Sequence, residues 1–312
     1  MSLSDRFQRQ MADRFGSERF REGVPLAPLT TFKVGGPAEW LLETLSSDEL
    51  VEALRIAHDA GVGVTLLGGG SNVLIGDRGV SGLVLKPRGG QIEQVNTGRV
   101  RADAACTING LVRWTVHRGI AGLEAWAGTP GTVGGAIYGN AHFGGRLIGE
   151  LIESVRLADL TGMVCDHSRE EMEFGYDRSR LQTTGEVVLS AVFQVSIGDP
   201  TALREVARQS LAYRKRTQPL DTPSAGCIFQ NPESAAVPAG IPASAGALVD
   251  RAGLKGETRG GARVSRAHGN FIVNEGRATA ADIRSLIDLC RARVSEKFGV
   301  TLIEEIVYVG DF

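Results

Sequence analysis

The chain has 312 residues, 42% hydrophobic and 22% charged, a balance typical of packed globular proteins and long enough for two domains, or for one large domain with an appendage. Its formal net charge of -2 argues against the broad basic surface that non-specific nucleic-acid binding requires. No apolar run approaches the roughly 20 residues needed to span a bilayer, and the charged opening MSLSDRFQRQMADRF does not read as a signal peptide; a cytoplasmic protein with neither membrane nor nucleic acid as partner is expected.

The four cysteines, Cys106, Cys165, Cys227 and Cys290, form no C-x-x-C pair, and the five histidines are scattered. Neither a disulfide framework nor a metal site is expected. Glycine is the compositional outlier, at 41 of 312 residues, and it gathers where backbone must turn tightly or approach a ligand.

In chain order, Ser46 and Glu49 have the S-x-x-E spacing of a capping box, Leu50, Ala53, Leu54 and Ala57 supply an apolar helix face, and Gly61 ends it. Val64 to Leu67 reads as a short strand running into Gly68-Gly69-Gly70-Ser71-Asn72, followed by the strand-like Val73-Leu74-Ile75 and Leu83-Val84-Leu85. A Rossmann fingerprint would put glycine where Val73 stands and start a helix; a P-loop would end in G-K-[ST]. Neither holds. What remains is either a plain hairpin turn or a nest of backbone N–H groups able to bind phosphate without a helix.

A probable-helix pattern from Thr107 to Gly119 precedes a second small-residue loop, Trp126-Ala127-Gly128-Thr129-Pro130-Gly131-Thr132-Val133-Gly134-Gly135-Ala136. Two such loops suit an extended cofactor held from both sides; the other reading is two unrelated loops. The strand Val187 to Ile197 closes this region, and Asp199-Pro200 opens a helix whose apolar face is Leu203, Val206, Ala207 and Leu211. Arg214, Lys215 and Arg216 lie near its C-terminus, where cations are favoured by the dipole; they read either as a solvated cluster or as a diphosphate clamp. The last helix begins at Thr279, with Asp282 completing a capping pattern, and Ile283, Leu286, Ile287, Cys290, Val294 and Phe298 keep helical spacing up to Gly299. A final strand, Val300 to Val309, would point Glu304 and Glu305 to opposite faces.

These segments resemble, in order, the UDP-N-acetylenolpyruvoylglucosamine reductase family, from TTFKVGGPA at Thr30 through LLGGGSNVLI, GTPGTVGGAIYGN, FGY at Phe174, RKRTQP, SAGCIFQNP, AGLKG at Ala252, HGNFIVN at His268 and LIEEI at Leu302. The resemblance implies an α+β fold: a vanillyl-alcohol-oxidase (PCMH) type FAD-binding domain of two α/β subdomains over residues 30–198, after an N-terminal segment 1–29, and a C-terminal α+β substrate domain over 199–312 whose last strand is free to return to the FAD domain. It implies FAD and NADPH as cofactors and UDP-N-acetylglucosamine enolpyruvate as substrate, with hydride passing from flavin N5 to C3 and a proton to C2. Gly68, Gly69, Gly70, Ser71, Asn72, Gly128, Thr129, Gly131, Thr132, Gly134 and Gly135 would then hold the flavin.

The resemblance also assigns roles with departures. Cys227 stands where the family pattern has the proton-donating serine; a free thiol, with an ordinary pKa near 8.5, is mostly protonated at neutral pH and a stronger acid than a hydroxyl. Glu305 takes the catalytic glutamate position, with Glu304 replacing a proline. In FGYR-x-S the arginine position is occupied by Asp177, leaving Arg178 as the expected carboxylate partner and Arg180 as its rival. His142 departs from the pattern too and reads as an exposed loop residue, with a flavin-facing position as the alternative. Arg214 and Asn231 are the expected substrate contacts. Two other readings are a flavin oxidase or dehydrogenase acting on an alcohol or sugar lactone, and a nucleotide-sugar binder without chemistry.

Overall fold

The computed structural model describes residues 3–312. It divides into two compact units: one holds residues up to Val24, Glu39–Gly69 and Ser81–Ala212, the other Pro25–Ala38, Gly70–Val80 and Tyr213–Phe312.

The first unit contains two sheets. Strands Phe20–Pro25, Pro37–Thr44, Val80–Pro87 and Val64–Leu66 lie side by side in that order, the last two parallel. Helices Leu3–Phe15 and Ser47–Asp59 cover them through Phe7, Met11, Phe15, Leu50 and Leu54, which are buried with Trp40, Leu42, Leu83 and Leu85. The second helix starts as its sequence dictates: the Ser46 side chain accepts from the Glu49 amide, satisfying one of the orphan donors of a first turn. The other sheet is antiparallel, with strands Val164–Ser168, Ile152–Ala158, Val187–Gln194, Arg99–Asp103 and Ile92–Asn96 in order. Helices Ile108–His117 and Val133–Tyr138 belong to its core with Trp126 and Phe193, both fully buried.

The second unit is built round helix Ala280–Phe298. Ile283, Leu286, Ile287, Cys290 and Val294 bury one face of it with Phe32, Ile228, Phe229 and Leu302. Burial pushes the Cys290 thiol up to about 12, so it is inert filling, as its place in the apolar stripe requires. The helix closes at Gly299, in the left-handed conformation with φ 67°. A three-stranded antiparallel sheet, Thr258–Arg259, Ala262–Val264 and Ile272–Asn274, and a parallel pair, Val73–Ile75 with Val307–Val309, complete the unit. No helix among the described residues is long and apolar enough to cross a membrane.

Three sequence expectations are corrected. The last strand covers only Val307–Val309; residues 300–306 run beside Ile228–Gln230 instead, joined through a single bridge from Glu304 to Phe229. On helix Pro200–Thr217, Val206 is 39% and Leu211 37% exposed. Its buried residues, Leu203 and Arg214, are eleven apart, three turns along one face. The segment after Gly131 is not all loop: Thr132 caps helix Val133–Tyr138 by accepting from the Gly135 amide, so Gly134 and Gly135 sit in its first turn.

Helix Ala280–Phe298 has a doubled N-terminus. Besides the Thr279–Asp282 capping box, Asp77 accepts from the amides of Ala280 at 2.8 Å and Ala281 at 3.0 Å, placing a carboxylate on the positive end of the dipole. Asp77→Ala is expected to lower the unfolding free energy by about 1–2 kcal/mol, read from urea denaturation; an unchanged midpoint would mean that the capping box alone suffices.

Candidate active site

In the first unit the two glycine-rich segments meet backbone to backbone. A Cβ on Gly69 would lie 2.5 Å from the Gly131 Cα, and one on Gly68 2.9 Å from Thr132 Oγ1, so no other residue fits there without moving the chains apart. Thr132 also bridges Thr107, with the Ile108 amide on the Gly131 carbonyl at 3.1 Å. Asn109 clamps the middle of the second segment: its Nδ2 donates to the Thr129 carbonyl at 3.1 Å and its Oδ1 accepts from the Gly128 amide at 2.7 Å.

The amides of Gly68, Gly69, Gly70 and Ser71 have no acceptor among the described residues. Four successive donors of this kind suit an anion such as a cofactor diphosphate. Of the two readings left open by the sequence, the nest is favoured by this arrangement. Lys86 adds a cation that sequence reasoning missed: buried at the end of strand Val80–Pro87, its ammonium donates to the Gly68 carbonyl. Burial pulls it down to about 8, helped by nearby Arg88. The signal was a lysine within an apolar strand, LVLKP, where a charge needs a local reason.

The second unit gathers Cys227, Glu305, Arg214 and Asn72. Gly226, at φ 79° with open space around it, supplies a left-handed turn into half-buried Cys227. The following residues are fixed by Asn270, whose carbonyl takes the Ile228 amide at 2.9 Å while its side chain accepts from the Phe229 amide at 2.9 Å and donates to the Phe229 carbonyl at 2.7 Å. Glu305 donates its amide to the Ile228 carbonyl at 2.8 Å, and Asn72 donates its Nδ2 to the Glu305 carbonyl at 3.1 Å. Glu305 is thereby placed beside the residue that follows Cys227.

Glu304 is committed elsewhere. Its Oε1 accepts from Arg291 at 2.9 Å, and burial, with Glu304 as the next cause, pushes Tyr308 well above the ordinary phenol range. Arg214 is buried, and burial pulls its guanidinium down to about 10, with Cys227 acting in the opposite direction; the two side chains are electrostatic neighbours. Asn231 accepts from the Ala245 amide at 3.0 Å, capping the next helix. Lys215, Arg216, Arg263 and Arg266 line an open basin of about 570 Å³ together with Thr222 and Ser265, four cations from two separate stretches of sequence.

Arg178 belongs to the first unit. It closes a tight turn with Gly175 and is exposed, with no hydrogen bond or ion pair through its guanidinium among the described residues. Arg180 is engaged by Glu186 at 2.9 Å. His142 is not a solvated loop residue: it is half-buried and pairs with Asp177 at 2.9 Å.

Residues 218–309 match the family described as UDP-N-acetylenolpyruvoylglucosamine reductase, C-terminal domain, and residues 40–168 match the family described as FAD binding domain. Among curated relatives, UDP-N-acetylenolpyruvoylglucosamine reductase of Synechococcus sp. (strain WH7803) is 42% identical over 296 residues, covering 93% of each chain. The protein of that name from Myxococcus xanthus (strain DK1622) is 39% identical over 305 residues, covering 96% of this chain and 95% of the relative. The crystal structure of UDP-N-acetylenolpyruvylglucosamine reductase from Thermus caldophilus superposes with a TM-score of 0.77 at 31% identity, over 93% of this chain and 98% of that one. The α+β class, with an FAD binding domain match followed by a reductase C-terminal domain match, agrees with the sequence expectation.

Lys86 gives a pH test. Its folded-state pKa of about 8 lies below the ordinary 10.5, so between those values the unfolded chain binds more protons and stability rises with pH. Lys86→Met should therefore be more stable than the native protein at neutral pH, by on the order of 2 kcal/mol before the lost bond to Gly68 is counted. That advantage should shrink as pH rises from about 8 to about 10.5. A pH-independent difference in chemical denaturation would contradict the assignment.

Proposed function

Because the chain belongs to the UDP-N-acetylenolpyruvoylglucosamine reductase family, an oxidoreductase family, we propose that it reduces UDP-N-acetylglucosamine enolpyruvate to UDP-N-acetylmuramate, a peptidoglycan precursor, using NADPH through FAD. The observation that carries this reading is the gathering of Cys227, Glu305 and Arg214 within one compact unit, in a chain that also has, among the described residues, the unpartnered amides of Gly68 to Ser71. FAD, when bound, supplies the relay of a hydride from NADPH to the substrate's C3.

The chain's own residues have four tasks. The nest from Gly68 to Ser71, with Lys86 behind it, holds the cofactor's diphosphate, and the segment Gly128–Gly135, held by Asn109 and Thr107, takes the rest of its length. Arg178 pairs with the substrate carboxylate, on which negative charge builds as C3 gains hydride; a planar guanidinium meets such a group with two parallel bonds. The Cys227 thiol delivers a proton to C2, and Glu305 stands beside it to support that transfer. Lys215, Arg216, Arg263 and Arg266, with Arg214 set deeper beside Cys227, provide cations for the substrate diphosphate. NADPH and nucleotide-sugars are cytoplasmic metabolites, and that compartment suits four free cysteines.

The test separates the two half-reactions. Purified protein carrying FAD should be bleached by NADPH and recoloured by the enolpyruvyl nucleotide-sugar. Cys227→Ala should leave bleaching intact and slow recolouring by roughly 10²–10⁴-fold, the usual worth of a positioned acid; Cys227→Ser should restore much of the rate. Recolouring of Cys227→Ala at the native rate would remove the thiol from the mechanism, and no recolouring of the native protein would remove the substrate.

A further inference from the structure

We propose that His142 and Asp177 form a positioning pair that fixes the turn carrying Arg178, so that the guanidinium is held ready for the substrate carboxylate. The proposal rests on the reading of Arg178 given above and deepens it.

The turn is closed by the Gly175 amide on the Arg178 carbonyl at 2.9 Å and the Arg178 amide on the Gly175 carbonyl at 3.2 Å, with Tyr176 and Asp177 at its two central positions. Asp177 has φ 51°, the left-handed conformation that glycine or asparagine adopts most easily at the second central position. Either would make the turn without burying a charge. Asp177 instead brings in a carboxylate that is almost completely buried, whose Oδ1 pairs with His142 Nδ1 at 2.9 Å and whose Oδ2 has no hydrogen-bond partner among the described residues. A buried carboxylate in this state is costly unless its partner carries the compensation. His142 is that partner, from strand His142–Phe143, and its ring also lies 4.9 Å from that of Tyr176. The pair therefore ties both central turn residues to a second element.

The surrounding bonds act in the same direction. Asn140 donates to the Gly175 carbonyl at 2.7 Å, Gln182 donates to the Asp177 carbonyl at 2.9 Å, and Ser179 donates to the Tyr138 carbonyl at 2.7 Å. The turn is thus tied on both sides of Arg178, while its own guanidinium meets no partner among the described residues. A free guanidinium on an immobilised turn is the arrangement that bidentate carboxylate recognition rewards, because little ordering is left for the moment of binding. It also explains how an aspartate can stand at the position where the family pattern has arginine: the acid serves as anchor and the cation moves one residue along.

Asp177→Gly tests this without strain, since glycine accepts the left-handed φ, and His142→Ala removes the other partner from outside the turn. In the FAD-loaded enzyme each is expected to raise KM for the enolpyruvyl nucleotide-sugar about tenfold, a fraction of the loss on removing a charge-assisted pair, with NADPH bleaching of the flavin unchanged. Arg178→Ala should raise KM at least as much, and adding Asp177→Gly to it should raise KM no further. Asp177→Asn, which keeps the turn and an acceptor for His142, should stay near native. A near-native KM in both Asp177→Gly and His142→Ala, alongside a raised KM in Arg178→Ala, would leave the pair a purely structural contact and overturn the proposal. A near-native Arg178→Ala would instead overturn the reading on which it rests.

Discussion

The hydrogen bond from the Glu305 amide to the Ile228 carbonyl is the constraint on which the chemistry proposed for the second unit depends. It joins the last dozen residues of the chain to the segment beginning at Cys227, and no local rule could have joined them. Once it is made, Asn270 seals the other edge of Ile228 and Phe229, and Asn72 takes the Glu305 carbonyl. The backbones of the segment after Cys227 and of Glu305 are then held side by side. On the proposed reading, this backbone geometry is what sets the proton donor and its supporting carboxylate.

The first unit solves a different problem by the opposite means. Where the residues that follow Cys227 are fixed by hydrogen bonds, Gly68 and Gly69 are defined by the lack of a side chain, because Gly131 and Thr132 occupy the space a Cβ would need. Close backbone contact brings two segments more than sixty residues apart into one patch and leaves a row of amides without partners. The conformational entropy lost by glycine on folding is offset by burial elsewhere, in the cores around Trp126 and around Phe7 and Trp40.

How legible this was in the sequence depends on the range of the interaction. Ser46, Thr107, Thr279 and Gly299 were readable as helix ends because a cap is decided within four residues. The stripe from Ile283 to Val294 was readable because one helix face meets one core. Helix Val133–Tyr138 was not: its first turn contains two glycines, which disfavour a helix, and it persists because Thr132 caps it and Val133 and Ile137 are fully buried. The shortened final strand was missed because its partner, Val73–Ile75, lies more than two hundred residues away. Helix Pro200–Thr217 misled for a subtler reason. Its hydrophobic pattern points to Val206 and Leu211, yet the residue it buries near its end is a charged one, Arg214.

Arg214 and Lys86 show the same physical signature in different units. Each is a cation buried enough that its pKa falls, to about 10 and about 8, and a protein gains no stability from such an arrangement by itself. Folding leaves both charges largely desolvated, and on the proposed reading an anion arriving alongside would restore what burial removed. On that reading the cost is met in the folded state before any ligand binds, and it would be returned on binding as affinity for phosphate or carboxylate groups. Asp177 is the exception that supports the rule: it is the buried charge with its partner already built in, and it sits where the chain needs rigidity rather than affinity. On the proposed reading, buried charge in this chain sorts by whether its main compensation comes from the protein or from a ligand, and that distinction would separate the anchors from the binding groups.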